Sequence, residues 1–163
     1  MGSRIDPLAE PAPLIRSVYA YAVYRVGDLV AADDVTGEVF ERAVRYRKSF
    51  DPARGTPTSW LVGIARRVIA ERLGRPPVDL GLELDESPDK VDVEASTIRR
   101  LDLHAAISRL SDRDRELIGL RYGADLTASQ IARVVDSDTH RVEVALSRAL
   151  SRLRLLTEEL QRM

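Results

Sequence analysis

The chain has no cysteine at any of its 163 positions, which excludes disulfides and thiolate metal sites at the outset. Aromatic residues supply 5% of it, too few for a typical β-sandwich core and in keeping with small aliphatic helix packing. Its two histidines, His104 and His140, are far apart in sequence. Neither has the neighbours that a metal centre or a hydrolytic triad would need. No stretch approaches the ~18 apolar residues of a membrane span. Residues 1–13 hold one arginine and no apolar run, so no signal peptide and no direct membrane insertion are expected. A cytoplasmic protein follows as the expectation. Lysine is nearly missing too: Lys48 and Lys90 are the only two among 25 basic residues. An arginine bias has a bland source in a GC-rich genome and a functional one in phosphate and guanine contacts.

What is present is apolar and helical. Hydrophobic residues reach 44%, enough to build cores. Net charge is −1, and its distribution says more than its sum. Residues 14–74 hold 10 basic and 7 acidic side chains, and residues 98–163 hold 12 and 10. Residues 75–97 between them hold 2 and 7. Two mildly basic blocks therefore flank an acidic segment. So modest a positive charge implies modest autonomous DNA affinity, because non-specific binding is mostly counterion release.

Apolar positions recur at three and four through Leu14, Val18, Tyr19, Ala22 and Val26, a helical stripe that Gly27-Asp28 can break. Asp33 and Asp34 precede a second stripe, Val35, Val39, Phe40, Ala43 and Val44, and are expected to start that helix. Arg45 to Gly55 reads as a basic loop with turn signals at Asp51-Pro52 and Arg54-Gly55. Thr56 caps a third helix, with Pro57 at its first position, and Gly74 ends it. Residues 75–97 carry three prolines and no sustained period, an extended acidic linker or solvated spacer. Helical periodicity returns from Ile98, with Ser111 capping one helix and Thr127 with Gln130 at capping-box spacing on another. The expected fold is all-α: a flexible N-terminus (1–13), a helical domain (14–74), the acidic linker (75–97) and a second helical domain (98–163).

The second domain ends in a helix-turn-helix: a short capped helix over about 127–135, a three-residue turn and a longer helix over about 138–156. The second helix of such a pair lies in the major groove. Its apolar stripe turns inward, leaving Thr139, His140, Arg141, Glu143, Val144 and Arg148 toward DNA. Arg141 suits guanine, Glu143 suits cytosine N4, and Arg148 and Arg152 suit phosphates. Spacing alone leaves open a helical hairpin that merely completes a bundle.

The run Leu110 to Leu155 goes further. Arg115-Glu116, Leu120-Arg121-Tyr122, Ile131-Ala132, Val142 and Leu146-Ser147-Arg148-Ala149 resemble, without a gap, the promoter-binding region of extracytoplasmic-function (ECF) sigma factors. The first block agrees: Asp33-Asp34-Val35, Glu38, Phe40, Arg42, Phe50-Asp51-Pro52, Trp60-Leu61 and Ile64-Ala65-Arg66 are similar to that family's first domain. The resemblance implies a sigma factor, not an enzyme, with no cofactor, metal or small-molecule substrate. Its partners would be core RNA polymerase, promoter DNA and an anti-sigma factor.

Residue roles follow from the same resemblance. The helix 33–45, with Asp33, Asp34, Gly37, Glu38, Glu41 and Arg42, would dock on the polymerase clamp. Lys48, Phe50, Arg54, Trp60, Arg66 and Arg67 would hold the melted promoter strand, where aromatic rings stack on bases and cations meet phosphates. Plain core packing is the alternative for Phe50 and Trp60. Asp79, Glu83, Asp85, Glu86 and Asp89 of the linker would mimic nucleic acid inside a basic channel.

The chain also departs from the family pattern. Gly37 replaces a glutamine, Arg67 an asparagine, and Val62 and Gly63 larger residues near the melted strand. Asp136 stands at the turn glycine, Ser137 at a buried aliphatic, and Glu143 and Ala145 at basic positions of the recognition helix. Two other readings stay open on the residues: an autonomous helix-turn-helix repressor or activator, and a sigma-like decoy that does not bind DNA.

Overall fold

A computed structural model describes residues 4–78, Leu80 and residues 100–163. The linker carboxylates Asp79, Glu83, Asp85, Glu86 and Asp89 lie outside the described residues. Helices and turns account for the regular structure, with no strand among the described residues.

The first block is three helices: α1 (Pro11–Val26), α2 (Leu29–Arg45) and α3 (Pro57–Leu73). Order begins earlier than residue 14, because Pro7 is buried, Leu8 is 9% exposed and Pro11 already opens α1. Gly27 ends α1 in the left-handed region (φ 70°), where an L side chain would be strained. The next helix starts at Leu29, not at Asp33. The Asp28 carboxylate accepts from the Val30 and Ala31 amides, so the cap sits one turn before the acidic pair. Asp33 and Asp34 instead lie within α2 on its exposed side. Thr56 caps α3 in a full capping box with Ser59, Pro57 opens it and a left-handed Gly74 closes it, as the turn chemistry dictates.

The second block contains α4 (Arg100–Arg109), α5 (Asp112–Ile118), α6 (Ala128–Val134) and α7 (Thr139–Arg162). Ser111 caps α5, and a π-helical turn over Gly119–Gly123 carries it onward. The Thr127–Gln130 box caps α6, and Asp138 caps α7 by accepting from the Arg141 amide. Asp136 adopts φ 55°, the left-handed geometry for which this turn ordinarily uses glycine. The helix-turn-helix therefore keeps its bend despite the substitution.

The two blocks share one continuous core. Val18, Tyr21, Val35, Val39, Leu61 and Val68 from the first join Leu117, Leu120, Leu126 and Ile131 from the second. Val78 and Leu80, at the start of the linker, pack on the same core. A smaller cluster of Leu110, Ile118 and Ala149 stiffens the second block itself. Two glycines make the close approach of the blocks feasible. A Cβ on Gly123 would stand 2.9 Å from the backbone Cα and N of Tyr21, and one on Gly119 would stand 3.0 Å from the Tyr24 Cβ. Glycine inside a helix costs about 1 kcal/mol relative to alanine, so these positions trade local helix stability for contact with α1.

Candidate nucleic-acid interface

A groove of about 490 Å³ opens beside the N-terminus of α3. Phe50, Arg54, Trp60, Gly63 and Arg67 line it from the first block. Phe50 and Trp60 meet edge to face, with centroids 5.6 Å apart and planes at 65°. Both rings are half-buried, so packing and stacking are not exclusive roles here. Arg54 and Arg67 are exposed, and Lys48 is exposed on the short 3₁₀ turn Arg47–Ser49 before the groove. Gly63, where the family pattern has a larger residue, leaves that stretch of wall open, whereas Val62 is fully buried and faces the core.

Arg66 is placed differently from the rest of its predicted set. Its Nε donates to Glu116 Oε1 at 3.0 Å, its Nη2 to the Val78 carbonyl at 2.9 Å and its Nη1 to the Val134 carbonyl at 3.4 Å. One guanidinium thereby ties the linker start, α5 and α6 to α3.

Glu116 is the centre of that arrangement, and the sequence reading did not single it out for a role. It is 2% exposed. The Tyr21 hydroxyl lies 2.8 Å from both of its oxygens, and Arg25 Nε makes an ion pair with Oε2 at 2.7 Å. That Arg25 contact is ionic and not aligned as a hydrogen bond. Burial, followed by the Glu116 charge, pushes the Tyr21 phenol well above its usual range. Close by, Asp112 pairs with Arg75 at 2.7 Å, Arg115 at 2.6 Å and Arg25 at 3.8 Å. Burial opposes the Asp112 charge, but the Arg115 hydrogen bond and the charges of Arg75 and Arg25 outweigh it and hold the carboxyl below its usual value. A charged residue inside an apolar helix face was the available signal: Arg25 lies one turn from Tyr21, and Glu116 directly precedes Leu117 and Ile118.

The exposed side of α2 presents Asp33, Asp34, Gly37 and Glu41 beside Leu29 (63% exposed), Val30 (72%) and Val44 (59%). Glu38 and Arg42 are half-buried at its edge, where Arg42 bridges Glu38 and Glu71 of α3. The hydrogen bond and charge of Arg42 lower the Glu71 pKa.

On the helix-turn-helix, Thr139, His140 and Glu143 are exposed, while Arg141, Val144 and Arg148 are half-buried. Arg141 pairs with its own cap Asp138 at 3.2 Å. Arg152 donates to both oxygens of buried Asp114 at 2.9 Å, so its charge braces α7 against α5. Ala145, at a family basic position, is buried in the domain core.

Comparison with known proteins fits this geometry. Residues 13–75 match the model of sigma-70 region 2, and residues 106–155 match sigma-70 region 4. The chain is 32% identical over 127 residues to the ECF RNA polymerase sigma factor RpoE of Cereibacter sphaeroides, covering 76% of this chain and 68% of that one. The chain belongs to the ECF sigma factors. It is also 32% identical to SigD of Mycobacterium bovis, covering 91% of this chain and 76% of that one. With BldN of Streptomyces coelicolor the identity is 30%, and the chain spans 57% of that relative's length. A solved sigma factor RpoE from Bartonella quintana, in complex with the anti-sigma factor NepR, shares the fold at a TM-score of 0.68 and 19% identity, over 89% of this chain and 92% of that one. In family terms α1–α3 are region 2 and α4–α7 carry region 4. No helix among the described residues is long and apolar enough to cross a membrane, and no group of side chains there could hold a metal ion.

Proposed function

We propose that this chain is a cytoplasmic initiation factor that carries core RNA polymerase to a promoter and helps open it. The observation that carries the reading is the presence of both promoter-contacting domains, in the family's order, on one chain. The exposed acidic and apolar side of α2 suits polymerase docking. Its apolar half, Leu29, Val30 and Val44, would lose water on binding, and Asp33, Asp34 and Glu41 would set register and orientation. The Phe50–Trp60 groove suits an unstacked base, with Lys48, Arg54 and Arg67 for the neighbouring phosphates. Thr139, His140 and Glu143 at the N-terminal end of α7 suit base edges in the major groove. Their acidic member and the cap pairing of Arg141 make the promoter preference this chain's own. Bond making stays with polymerase, and this chain supplies binding and placement.

The similar Bartonella protein was captured with an anti-sigma factor, and the same class of partner is proposed here. Run-off transcription with purified core polymerase on genomic templates tests the reading. Promoter-specific transcripts that depend on this chain are expected. Polymerase binding without any specific transcript would instead support the decoy. A nanomolar gel shift without polymerase would support the autonomous repressor.

A further inference from the structure

A cavity of about 220 Å³ lies between α1 and α4 and shares no lining residue with the Phe50–Trp60 groove. Val23 of α1 and Leu103 and Ile107 of α4 give it apolar walls, Tyr24 adds an aromatic side chain, and Arg115 of α5 supplies a charge. His104 and Ser108 line it as well and are exposed, which sets its mouth on the outer side of α4.

The charge on that wall is poorly matched. Asp112 serves Arg25, Arg75 and Arg115, so one carboxylate answers three guanidinium groups. Arg25 has Glu116 as well, whereas Arg115 pairs with Asp112 alone among the described residues. A guanidinium offers five donors. Arg115 spends Nη2 on Asp112 at 2.6 Å, and its Nε is buried without a hydrogen-bond partner. No carboxylate among the described residues lines the cavity itself. Burial pushes the Tyr24 phenol above its usual value, so it keeps its proton and remains a donor.

Size and chemistry together narrow the ligand. An apolar cavity of about 150 Å³ takes a benzene ring, so this one has room for a ring and a short arm. A rigid ring loses less freedom on binding than an alkyl chain, and it gains from an aromatic neighbour. The planar guanidinium fork matches the two oxygens of a carboxylate at the end of that arm.

We propose that this cavity is a binding site for a small aryl carboxylic acid, its ring among Val23, Tyr24, Leu103 and Ile107 and its carboxylate on Arg115. Binding here needs neither DNA nor polymerase, so the site stands apart from the promoter-directing role.

The test uses 3-phenylpropionate, with 3-phenylpropionamide as the uncharged control of the same shape, titrated into the full-length chain and followed by protein-observed NMR. Saturable shifts confined to α1, α4 and α5 are expected, with half-saturation by the acid at about 0.1–1 mM. The amide is expected to bind about tenfold more weakly, having lost the charge-assisted hydrogen bonds. Arg115→Gln is expected to erase that preference and leave acid and amide equally weak. The ratio is taken within one variant, so a general loss of stability does not mimic it. Ser108→Trp fills the mouth from an exposed helical position, so the fold is spared, and both ligands are expected to weaken about tenfold or more.

No saturable shift up to about 10 mM acid, well past the weakest affinity expected, overturns the proposal. So do shifts centred away from α1, α4 and α5, equal binding of acid and amide by the wild type, or an acid preference that survives Arg115→Gln. Undiminished binding by Ser108→Trp places the ligand elsewhere and overturns it too, and that arm decides the matter even where the Arg115 variant does not fold.

Discussion

The two broad sides of region 2 are built on different terms. On the α2 side, charge is at the surface: Asp33, Asp34 and Glu41 are exposed, and the Glu38–Arg42–Glu71 chain lies at the edge of the core. On the α1–α3 side, charge is inside: Arg25 is 4% exposed and reaches Glu116, which is 2% exposed. Surface pairs of the first kind contribute roughly 0–1 kcal/mol each and can be exchanged for a partner's groups at little loss. Buried pairs of the second kind cannot be left half made. The side proposed to meet polymerase can therefore stay wet, while the side that meets the chain's own second block is fitted and dry.

The sharpest way to break that contrast is Glu116→Ala. It strands Arg25 and Arg66 beside Tyr21, and a loss of about 3–5 kcal/mol is expected in denaturant unfolding of the whole chain. A loss under about 1 kcal/mol would mean that the cluster is solvated and the two sides are alike. The matching change on the other side is the double reversal Asp33→Arg with Asp34→Arg. Stability should stay within about 0.5 kcal/mol, since both residues are exposed. Affinity for core polymerase should fall about tenfold or more, worth about 1.4 kcal/mol, in a pull-down titration. Equal polymerase binding by the double variant would remove α2 from the proposed docking face.

Acid offers a gentler probe of the dry side. Asp112 titrates below its usual 3.8 when folded, through Arg115, Arg75 and Arg25. A carboxylate with a lowered folded pKa adds stability that is complete above its unfolded pKa and is lost as pH falls through the folded one. Unfolding midpoints should thus show a fall confined to the range below about pH 4 that Arg75→Ala makes shallower. A wild-type and an Arg75→Ala curve that stay parallel down to about pH 3 would place Asp112 outside the interdomain balance.

Local chemistry was legible in the sequence where it was local in space. Thr56-Pro57 and Gly74 mark the ends of α3, Thr127 with Gln130 starts α6, and Ser111 starts α5, because each signal acts within a few residues. The start of α2 was misplaced for the same reason in reverse: Asp28, Asp33 and Asp34 are all plausible caps, and only the amide geometry selects Asp28. The groove residues Phe50, Arg54, Trp60 and Arg67 do come together, having been chosen through family resemblance and not through spacing. Arg66 was read only as a partner of the melted strand and Glu116 was given no role, because their contact joins positions 50 residues apart and no periodicity encodes such a pairing. Glu116 within an apolar run and two glycines inside a helix were the visible traces, and both look like minor defects until a second domain is set against them. Thr56→Ala returns to the legible kind: losing the capping box should lower stability by about 1 kcal/mol and weaken single-strand binding slightly by fraying the groove.

The smallest expected effect separates the two domains by their turns. Region 2 places glycine at its left-handed positions, Gly27 and Gly74, whereas region 4 places aspartate at Asp125 (φ 57°) and Asp136 (φ 55°). Left-handed backbone costs an ordinary L residue about 1–2 kcal/mol, less for aspartate, and glycine avoids that strain. Glycine also gives the unfolded chain more freedom, which takes back about 0.4–1 kcal/mol. Asp136→Gly should therefore gain under about 1 kcal/mol, measured as a small rise in the unfolding midpoint, while Gly74→Asp should lose a comparable amount. If Asp136→Gly is instead clearly destabilising, the aspartate does more than tolerate the turn, and the bend of this helix-turn-helix depends on its side chain.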